Sequence, residues 1–224
     1  MASINLKNHL QYLSDNLPLC FQEDHAKYLW DLKKSGFEPR VIYDIGSCVV
    51  SWTKYVKRIW PDAQYILFDA FKPAEFLYQE YDYHIGVLSD EDDMVVRFYQ
   101  NDMYPGGNSY YREIAFDNGK FFPENVYHEY TTSRLDTVVR KNGFPLPDLV
   151  KIDVQGAERD IMMGGIETIA AAKHLVVEMQ RVEYNKGAPL VWETLPFIES
   201  LGWKCVAPLF CDNGPDGDYG FVKI

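Results

Sequence analysis

The chain has 224 residues, of which 47% are hydrophobic and 25% charged, a composition typical of an ordered globular protein with one sizeable core. Its net charge of −11 argues against a nucleic-acid partner, because proteins that bind the phosphate backbone need a concentrated basic face. No segment reaches the roughly 20 apolar residues of a membrane span, and the polar N-terminus lacks the apolar block of a signal peptide.

Two amphipathic helices are predicted before the first strand. Leucines recur at three- and four-residue intervals from Leu6 to Leu17, which is the spacing of one helix face. A second helical segment spans residues 22–37 and is closed by Gly36. We expect residues 1–38 to form a helical cap on a single domain, covering either the sheet or the ligand.

Residues 40–224 alternate between apolar strands and helices. The main strands are RVIYD, QYILFD, YHIGVLSD, DLVKID and HLVVE; the helices are SWTKYVKRIW, PAEFLYQEY, SRLDTVVRKNG, GAERDIMMGGIETIAAA and LVWETLPFIESLG. Near-continuous apolar strands that alternate with helices predict a mostly parallel sheet with helices on both faces, a Rossmann-like α/β core. The last two segments, WKCVAPLF and DYGFVKI, are typical of a closing antiparallel pair.

Residues 93–132 interrupt this alternation. DMVVRFYQ and NVYHEYTTS have the alternating pattern of sheet strands, and a turn-rich segment separates them. We expect a small β insertion whose loop lies beside the active site.

Each main strand ends at or just before a carboxylate. The five acids are Asp44, Asp69, Asp90, Asp153 and Glu178. In open parallel sheets, ligands bind beyond the carboxyl ends of the strands, at the point where the strand order reverses. Five acids gathered there would repel one another without a cation or a hydroxyl-rich ligand among them. The pattern therefore favours a binding site over ordinary turn chemistry.

The loop after the first strand indicates which cofactor binds. Asp69 ends the second strand, where a carboxylate binds a ribose diol in Rossmann-like folds. A dinucleotide loop needs further glycines for its pyrophosphate, but Cys48 and Val50 occupy that part of the loop after Gly46. A nucleoside without phosphates has no such need, which favours S-adenosylmethionine over NAD. The predicted cofactor-binding residues are Asp44 (for the ammonium group), Gly46, Ser47, Asp69, Ala70, Phe71, Ser89, Asp90 and Asp153.

The stretch LVKIDVQGAERDIMMGG resembles the KIDVEGAE…VLxG signature of the FkbM family of S-adenosylmethionine-dependent methyltransferases. VIYDIG…WT, ILFDAFKP, GGNSYY, TTSRLDTVV, VVEMQRVEYNKGAP and DYGFV agree in order, so the resemblance covers roughly residues 40–224. It implies a class I methyltransferase fold with a seven-stranded sheet, and activity mostly on hydroxyls of sugars and of microbial secondary metabolites. The first loop departs from the family pattern D-x-G-A-N-x-G, since Cys48 replaces Asn and Val50 replaces the second glycine.

Methyl transfer to a hydroxyl needs alignment of the reactants and is assisted by a base. Asp153 is the first candidate, because the resemblance implies that its strand end lies next to the methyl group. It could equally cap the helix that begins near Gly156. Glu178 is a second candidate base or a ligand of sugar hydroxyls, and Glu158 could instead complement its helix dipole. A magnesium ion between Asp153 and Glu178 is an alternative, but the pattern requires no metal.

The predicted acceptor is a sugar hydroxyl in a glycan or a glycosylated small molecule. Its pocket is expected to contain Asn108, Ser109, Tyr110, Glu158, Arg181, Tyr184 and Asn185. A non-sugar alcohol or an amine, or a catalytically silent nucleoside-binding module, remain the alternatives. Four cysteines without a C-x-x-C pair or a nearby histidine favour neither zinc nor disulfides, and we predict a soluble cytoplasmic protein.

Overall fold

The computed structural model describes residues 5–16 and 23–224. Leu17, Cys20 and the first residue of the predicted second helix lie outside the described residues. The helices are α1 (Leu6–Asn16), α2 (Glu23–Lys34), α3 (Ser51–Val56), α4 (Leu135–Asn142), α5 (Glu158–Gly164), α6 (Ile166–Ala170) and α7 (Val191–Ser200). The strands are β1 (Val41–Ile45), β2 (Gln64–Asp69), β3 (Asp82–Ile85), β4 (Val87–Ser89), β5 (Val95–Phe98), β6 (His128–Arg134), β7 (Leu149–Ile152), β8 (His174–Gln180), β9 (Trp203–Asp212) and β10 (Asp216–Lys223).

The main sheet has seven strands in the order β3-β2-β1-β7-β8-β10-β9. Strands β3, β2, β1, β7 and β8 pair in parallel, and β10 is antiparallel to both of its neighbours. The predicted Rossmann-like fold and its closing antiparallel pair are confirmed. The strand order reverses between β1 and β7, which places the expected ligand crevice at their carboxyl ends.

Helices cover both faces of this sheet. On one face, α4, α5, α6 and α7 pack on the odd-numbered side chains of β1, such as Tyr43, and on the even-numbered side chains of β7. On the other face, α2 and α3 pack through Leu29, Trp52 and Val56 on the opposite set of side chains of these two strands. Toward the carboxyl ends this second face becomes polar, because Asp44 of β1 is paired in register with Lys151 of β7.

Three predicted elements differ in detail. Segment 83–90 is split at Gly86, whose N–H donates to Asp69 O at 2.8 Å, so that β3 joins the main sheet and β4 pairs with β6. Residues Lys72–Leu77 form a 3-10 helix with Pro73 in its first turn, not the predicted α-helix. The helix predicted over 156–172 is broken at Gly165, which packs so closely on α4 that a Cβ there would lie 2.7 Å from the side chain of Leu135.

Glu178 does not end its strand, since β8 continues to Gln180. The extension arises because β10 pairs with β8 along its whole length, up to the pair of Gln180 with Asp216. Glu178 therefore lies directly opposite Asp218 and inside the sheet.

The predicted insertion forms a second sheet of three strands in the order β4-β6-β5. Strand β5 is antiparallel to β6, and β4 is parallel to it. The loop between β5 and β6 contains a short 3-10 turn, Pro105–Gly107, and leads to Asn108 and Tyr110 at the carboxyl edge of the main sheet. Within residues 5–16 and 23–224, no helix has the length and apolar character needed to span a membrane.

Candidate active site

Gly46 lies where the ends of β1 and β7 meet. It has φ 86°, and its N–H donates to Phe68 O of β2 at 2.9 Å. A Cβ at this position would lie 1.7 Å from the backbone oxygen of Asp153. Only glycine therefore allows the first loop to pass so close to the β7 loop at the point where the strand order reverses.

Val50 replaces the second glycine of the family pattern, yet its backbone has the conformation that is usual for glycine. Its φ of 59° and ψ of 20° are in the left-handed region, where glycine is usual and a β-branched residue is strained. Its side chain is fully buried in a cluster with Leu10, Leu67 and Phe71. We infer that this burial offsets the strain, so that valine holds the backbone conformation expected of a glycine.

Asp69 is bound by the loops on either side of it. One carboxylate oxygen accepts the N–H of Cys48 at 2.6 Å, and the other accepts the N–H of Phe71 at 2.7 Å. Burial raises the pKa of Asp69, although the two N–H donors act in the opposite direction. Each oxygen keeps a lone pair, so the carboxylate can still accept hydrogen bonds from a ribose diol.

A cleft runs along the carboxyl edge of the sheet beside these loops. It encloses about 740 Å³, including the part open to solvent. Leu88, Phe98 and Ile161 form an apolar wall, and Asp69 and Asp153 supply carboxylates. Of the predicted residues, those that line the cleft are Gly46, Asp69, Ala70, Asn108, Ser109, Tyr110 and Asp153.

Asn108 contributes a polar atom to the cleft. Its Oδ1 accepts the N–H of Asn101 at 2.7 Å, whereas its buried Nδ2 has no hydrogen-bond partner among the described residues. A buried amide donor without a partner is costly. A ligand acceptor in the cleft would remove that cost.

Lys151 is buried beneath the cleft between two carboxylates. Its Nζ is 3.0 Å from Asp153 Oδ2 and 3.6 Å from Asp44 Oδ1. Asp44 is fully buried, accepts a hydrogen bond from Thr53 Oγ1 at 2.6 Å, and does not line the cleft. Burial alone would lower the pKa of Lys151, but the two carboxylates raise it, so the side chain is charged.

Asp153 and Glu178 are neighbouring carboxylates next to this lysine. Gln155 Nε2 donates to Asp153 Oδ1 at 3.1 Å and to Glu178 Oε2 at 2.7 Å. Burial acts to raise the pKa of Asp153, but Lys151 and a hydrogen bond with Glu178 hold it below its usual value. Burial and the charge of Asp153 raise the pKa of Glu178 well above its usual value. The two shifts are opposite in direction, so Glu178 is the member of the pair that binds a proton more readily.

Several predicted cofactor residues lie behind the cleft. Ser47 is buried and donates to Asp44 O at 2.6 Å, and the Phe71 ring is in the core. Ser89 donates to Asp90 at 3.1 Å and lies 3.3 Å from the Tyr110 hydroxyl, which donates to Asp160 at 2.8 Å. These side chains hold the loops that form the cleft but do not line it, Tyr110 excepted.

Four predicted acceptor residues also lie outside the cleft lining. Glu158 accepts the N–H groups of Val154 and Gly156 at 3.0 and 3.1 Å, and burial raises its pKa to about 7. Asn185 is fully buried and donates to Tyr111 O at 2.6 Å, which ties the insertion to the loop after β8. Arg181 pairs with Asp212 at 2.8 Å on the surface, and Tyr184 is buried.

Sequence reasoning missed Lys151 and Gln155. Lys151 had a signal, because it is the one charged residue inside the apolar strand β7. Gln155 had the weaker signal of a position where the family signature has Glu and this chain has Gln. Its φ of 58°, unusual for a residue other than glycine, became evident only in the structure.

This strand order, with a carboxylate at the end of β2 and a cleft where the order reverses, is the class I methyltransferase fold that the family resemblance implies. The family model described as "Methyltransferase FkbM domain" matches residues 44–205, more than two thirds of the chain. The chain therefore belongs to the FkbM methyltransferase family, and its cofactor is S-adenosylmethionine.

Solved structures with a similar fold are distant in sequence. The O-methyltransferase TomG from Streptomyces achromogenes is 10% identical, with coverage of 100% of this chain and 81% of that chain and a TM-score of 0.46. Human N-acetylserotonin methyltransferase is 10% identical (98% of this chain, 56% of that chain, TM-score 0.47). Precorrin-6y C5,15-methyltransferase from Geobacter metallireducens is 12% identical (83% of this chain, 82% of that chain, TM-score 0.42). No curated protein sequence matches the chain.

Proposed function

We propose that this methyltransferase transfers the methyl group to an oxygen, the hydroxyl of a sugar in a glycan or a glycosylated small molecule. The observation that carries the proposal is the buried Asp153–Glu178 pair, one member of which lines the cleft. A hydroxyl loses its proton on methylation, and such a pair can receive it. The sugar is supported by the family resemblance described above.

The cleft has groups that suit each part of the cofactor. The apolar wall of Leu88, Phe98 and Ile161 suits a flat purine, and the unpaired Asn108 Nδ2 can donate to a ring nitrogen. We assign the ribose diol to Asp69, whose carboxylate oxygens each keep a lone pair beside the Cys48 and Phe71 N–H groups. Asp44 is too deeply buried to reach the ammonium group directly, so we assign that group to the region of Asp153 and the Gly46 loop.

The chain's own residues then position the acceptor and move its proton. When bound, S-adenosylmethionine would supply the electrophilic methyl group, with its sulfur as the leaving group. Asp153, which is hydrogen-bonded to Glu178, takes the hydroxyl proton. Gln155 keeps the two carboxylates in place, and Lys151 balances their charge.

Calorimetry and an acceptor screen test this proposal. We expect the full chain to bind S-adenosylmethionine and S-adenosylhomocysteine, and to transfer a labelled methyl group to hexose or deoxysugar glycosides. Matched glycosides lacking one hydroxyl each would identify the methylated position. Binding without transfer to any acceptor would support the silent module instead.

An amine acceptor is the second candidate. Asp216 and Asp218 of β10 add negative charge beside Glu178, and the buried Oδ1 of Asp216 has no hydrogen-bond partner among the described residues. Such surroundings favour a cationic acceptor. Aminosugars and primary amines in the same screen separate this candidate, because transfer to them and not to neutral glycosides would contradict the sugar-hydroxyl proposal.

Replacing Asp69 by alanine is expected to weaken binding of S-adenosylhomocysteine roughly 10- to 100-fold. The variant would lose the charge-assisted hydrogen bonds between the carboxylate and the ribose, worth about 1.5–3 kcal/mol. It would also lose the hydrogen bonds that the carboxylate accepts from the Cys48 and Phe71 N–H groups. Calorimetric Kd values measure the effect. Asp62→Ala, at an exposed turn before β2, is the matched control and should bind as the wild type does. Unchanged affinity in Asp69→Ala would rule out this ribose contact.

A further inference from the structure

Helix α2 lies on the polar face of the sheet, and both α2 and β10 are outside the residues matched by the family. His25, which is 5% exposed, lies next to Asp218. Tyr28, one turn later, lies over Gly220, where a Cβ would come within 2.4 Å of the tyrosine hydroxyl oxygen. Two residues of α2 thus fit against alternate residues of β10, directly beside Glu178 of β8.

The hydrogen bonds of His25 fix the position of its proton. Trp52 Nε1 donates to His25 Nε2 at 2.9 Å, and an indole N–H can only donate. Nε2 is therefore the acceptor nitrogen, and the proton of the neutral ring is on Nδ1. His25 Nδ1 lies 3.1 Å from Asp218 Oδ2 and donates to it, so Asp218 is held as a carboxylate acceptor.

This arrangement excludes a metal centre at the same place. His25, Cys211 and Asp218 have ligand atoms within 4.8 Å of one another, which is a spacing that could hold an ion. A metal on Nδ1 would need the lone pair that the Nδ1 proton occupies. We therefore interpret Trp52, His25 and Asp218 as a hydrogen-bonded chain from α3 through α2 to β10.

The charge of Asp218 acts on the carboxylate pair. Asp218 is directly opposite Glu178 in the β10–β8 pairing, which brings the two Cβ atoms to about 4.5–5.5 Å. After burial, the charges of Asp153, Asp216 and Asp218 are the causes that raise the pKa of Glu178. The titratable and charged groups around Glu178 are Asp153 and Lys151 at β7, Glu158 of α5, Asp216 and Asp218 of β10, and Tyr184 after β8.

We propose that His25 is a positioning residue for methyl transfer: it holds Asp218 as an anion beside Glu178, which keeps the proton of the carboxylate pair on Glu178 and leaves Asp153 ionised at the cleft. That His25 affects methyl transfer rests on the proposed function of the Asp153–Glu178 pair. The effect of His25 on the proton of Glu178 does not rest on it, and can be measured without any acceptor.

Difference infrared spectroscopy of the full chain during a pH titration tests the proposal. The band of the protonated Glu178 carboxyl is assigned as the band missing from Glu178→Gln. In His25→Leu, Asp218 loses the N–H donor and keeps its side-chain hydrogen bond with Cys211, so its charge beside Glu178 is expected to be less well stabilised. The Glu178 band should then disappear at a pH about one unit lower than in the wild type, or lower still.

Three further variants make the result decisive. Asp218→Asn keeps an acceptor for His25 and the fold but removes the charge, so it should give the same shift. His25→Gln keeps a donor and should restore the wild-type titration. Tyr28→Phe, on the same face of α2, removes only a hydroxyl without a hydrogen-bond partner among the described residues, and should change nothing. A wild-type titration in both His25→Leu and Asp218→Asn, whatever their melting temperatures, would overturn the proposal.

Discussion

Replacing Lys151 by methionine is expected to lower the free energy of unfolding by about 3–5 kcal/mol, a large part of the ~5–15 kcal/mol that stabilises a domain. Methionine fills a similar apolar volume but removes the ammonium between Asp44 and Asp153. Asp44 is fully buried and would keep only the hydroxyl of Thr53 as a donor. Leaving one partner of a buried pair costs far more than an exposed pair contributes.

Urea unfolding without ligand at neutral pH measures this effect. Lys173→Met is the matched control, because Lys173 pairs with Asp148 at 3.3 Å from a side chain that is 66% exposed, and its loss should cost at most about 1 kcal/mol. A Lys151→Met variant that unfolds at the wild-type urea concentration would show that the ion pairs under the cleft are not what stabilises it.

The pH dependence of this difference has a definite sign. The pKa of Asp153 is lowered in the folded chain, so its share of stability is present above the unfolded value of about 3.9 and is lost as the pH falls through the folded value. The pKa of Lys151 is raised, so its share is present below the unfolded value of about 10.4. The pKa of Asp44 is already raised by burial and would rise further without Lys151, so the gap between wild type and Lys151→Met should narrow as the pH falls.

Much of the sheet could be predicted because its strands have strong local signals. Segments such as QYILFD are apolar, short and bounded by turn residues, and β2 coincides with the predicted strand. The errors occurred where a distant partner decides the structure. The strand predicted over 83–90 is divided because β6, about forty residues later, pairs with β4, and Glu178 is interior because β10 extends β8.

The positions of the candidate site residues follow in part from the same strand pattern. Carboxylates at the ends of β1, β2 and β7 follow from the strand pattern, and Asp69 and Asp153 line the cleft. The pattern does not indicate how deep each acid lies, so Asp44 was assigned to the ligand although Lys151 holds it inside the sheet. His25 could not be found from the sequence, because its contact with Asp218 joins residues 193 positions apart.

The Asp153→Asn variant is expected to lower kcat roughly 10²- to 10⁴-fold, the usual contribution of a general base, and to leave the affinity for S-adenosylhomocysteine within a few fold. Asparagine keeps the shape of the side chain at the cleft but cannot take the proton from the acceptor hydroxyl. In the wild type, kcat should rise with pH along a limb well above about 4.3, where an unperturbed Glu titrates, because loss of the Glu178 proton removes the hydrogen bond that makes Asp153 a weaker base.

Glu178→Gln separates the two carboxylates within this prediction. The side chain at position 178 is then neutral at every pH, so the rise of kcat with pH should disappear. Asp153 then acts alone, and its lowered pKa keeps it ionised over the pH range of the measurement. Glu199→Gln, at an exposed position of α7 away from the cleft, is the matched control and should keep the wild-type profile. If Asp153→Asn kept its turnover while Glu178→Gln lost it at every pH, the base would be Glu178, and the acceptor would have to bind deeper in the sheet than the cleft beside Asp153.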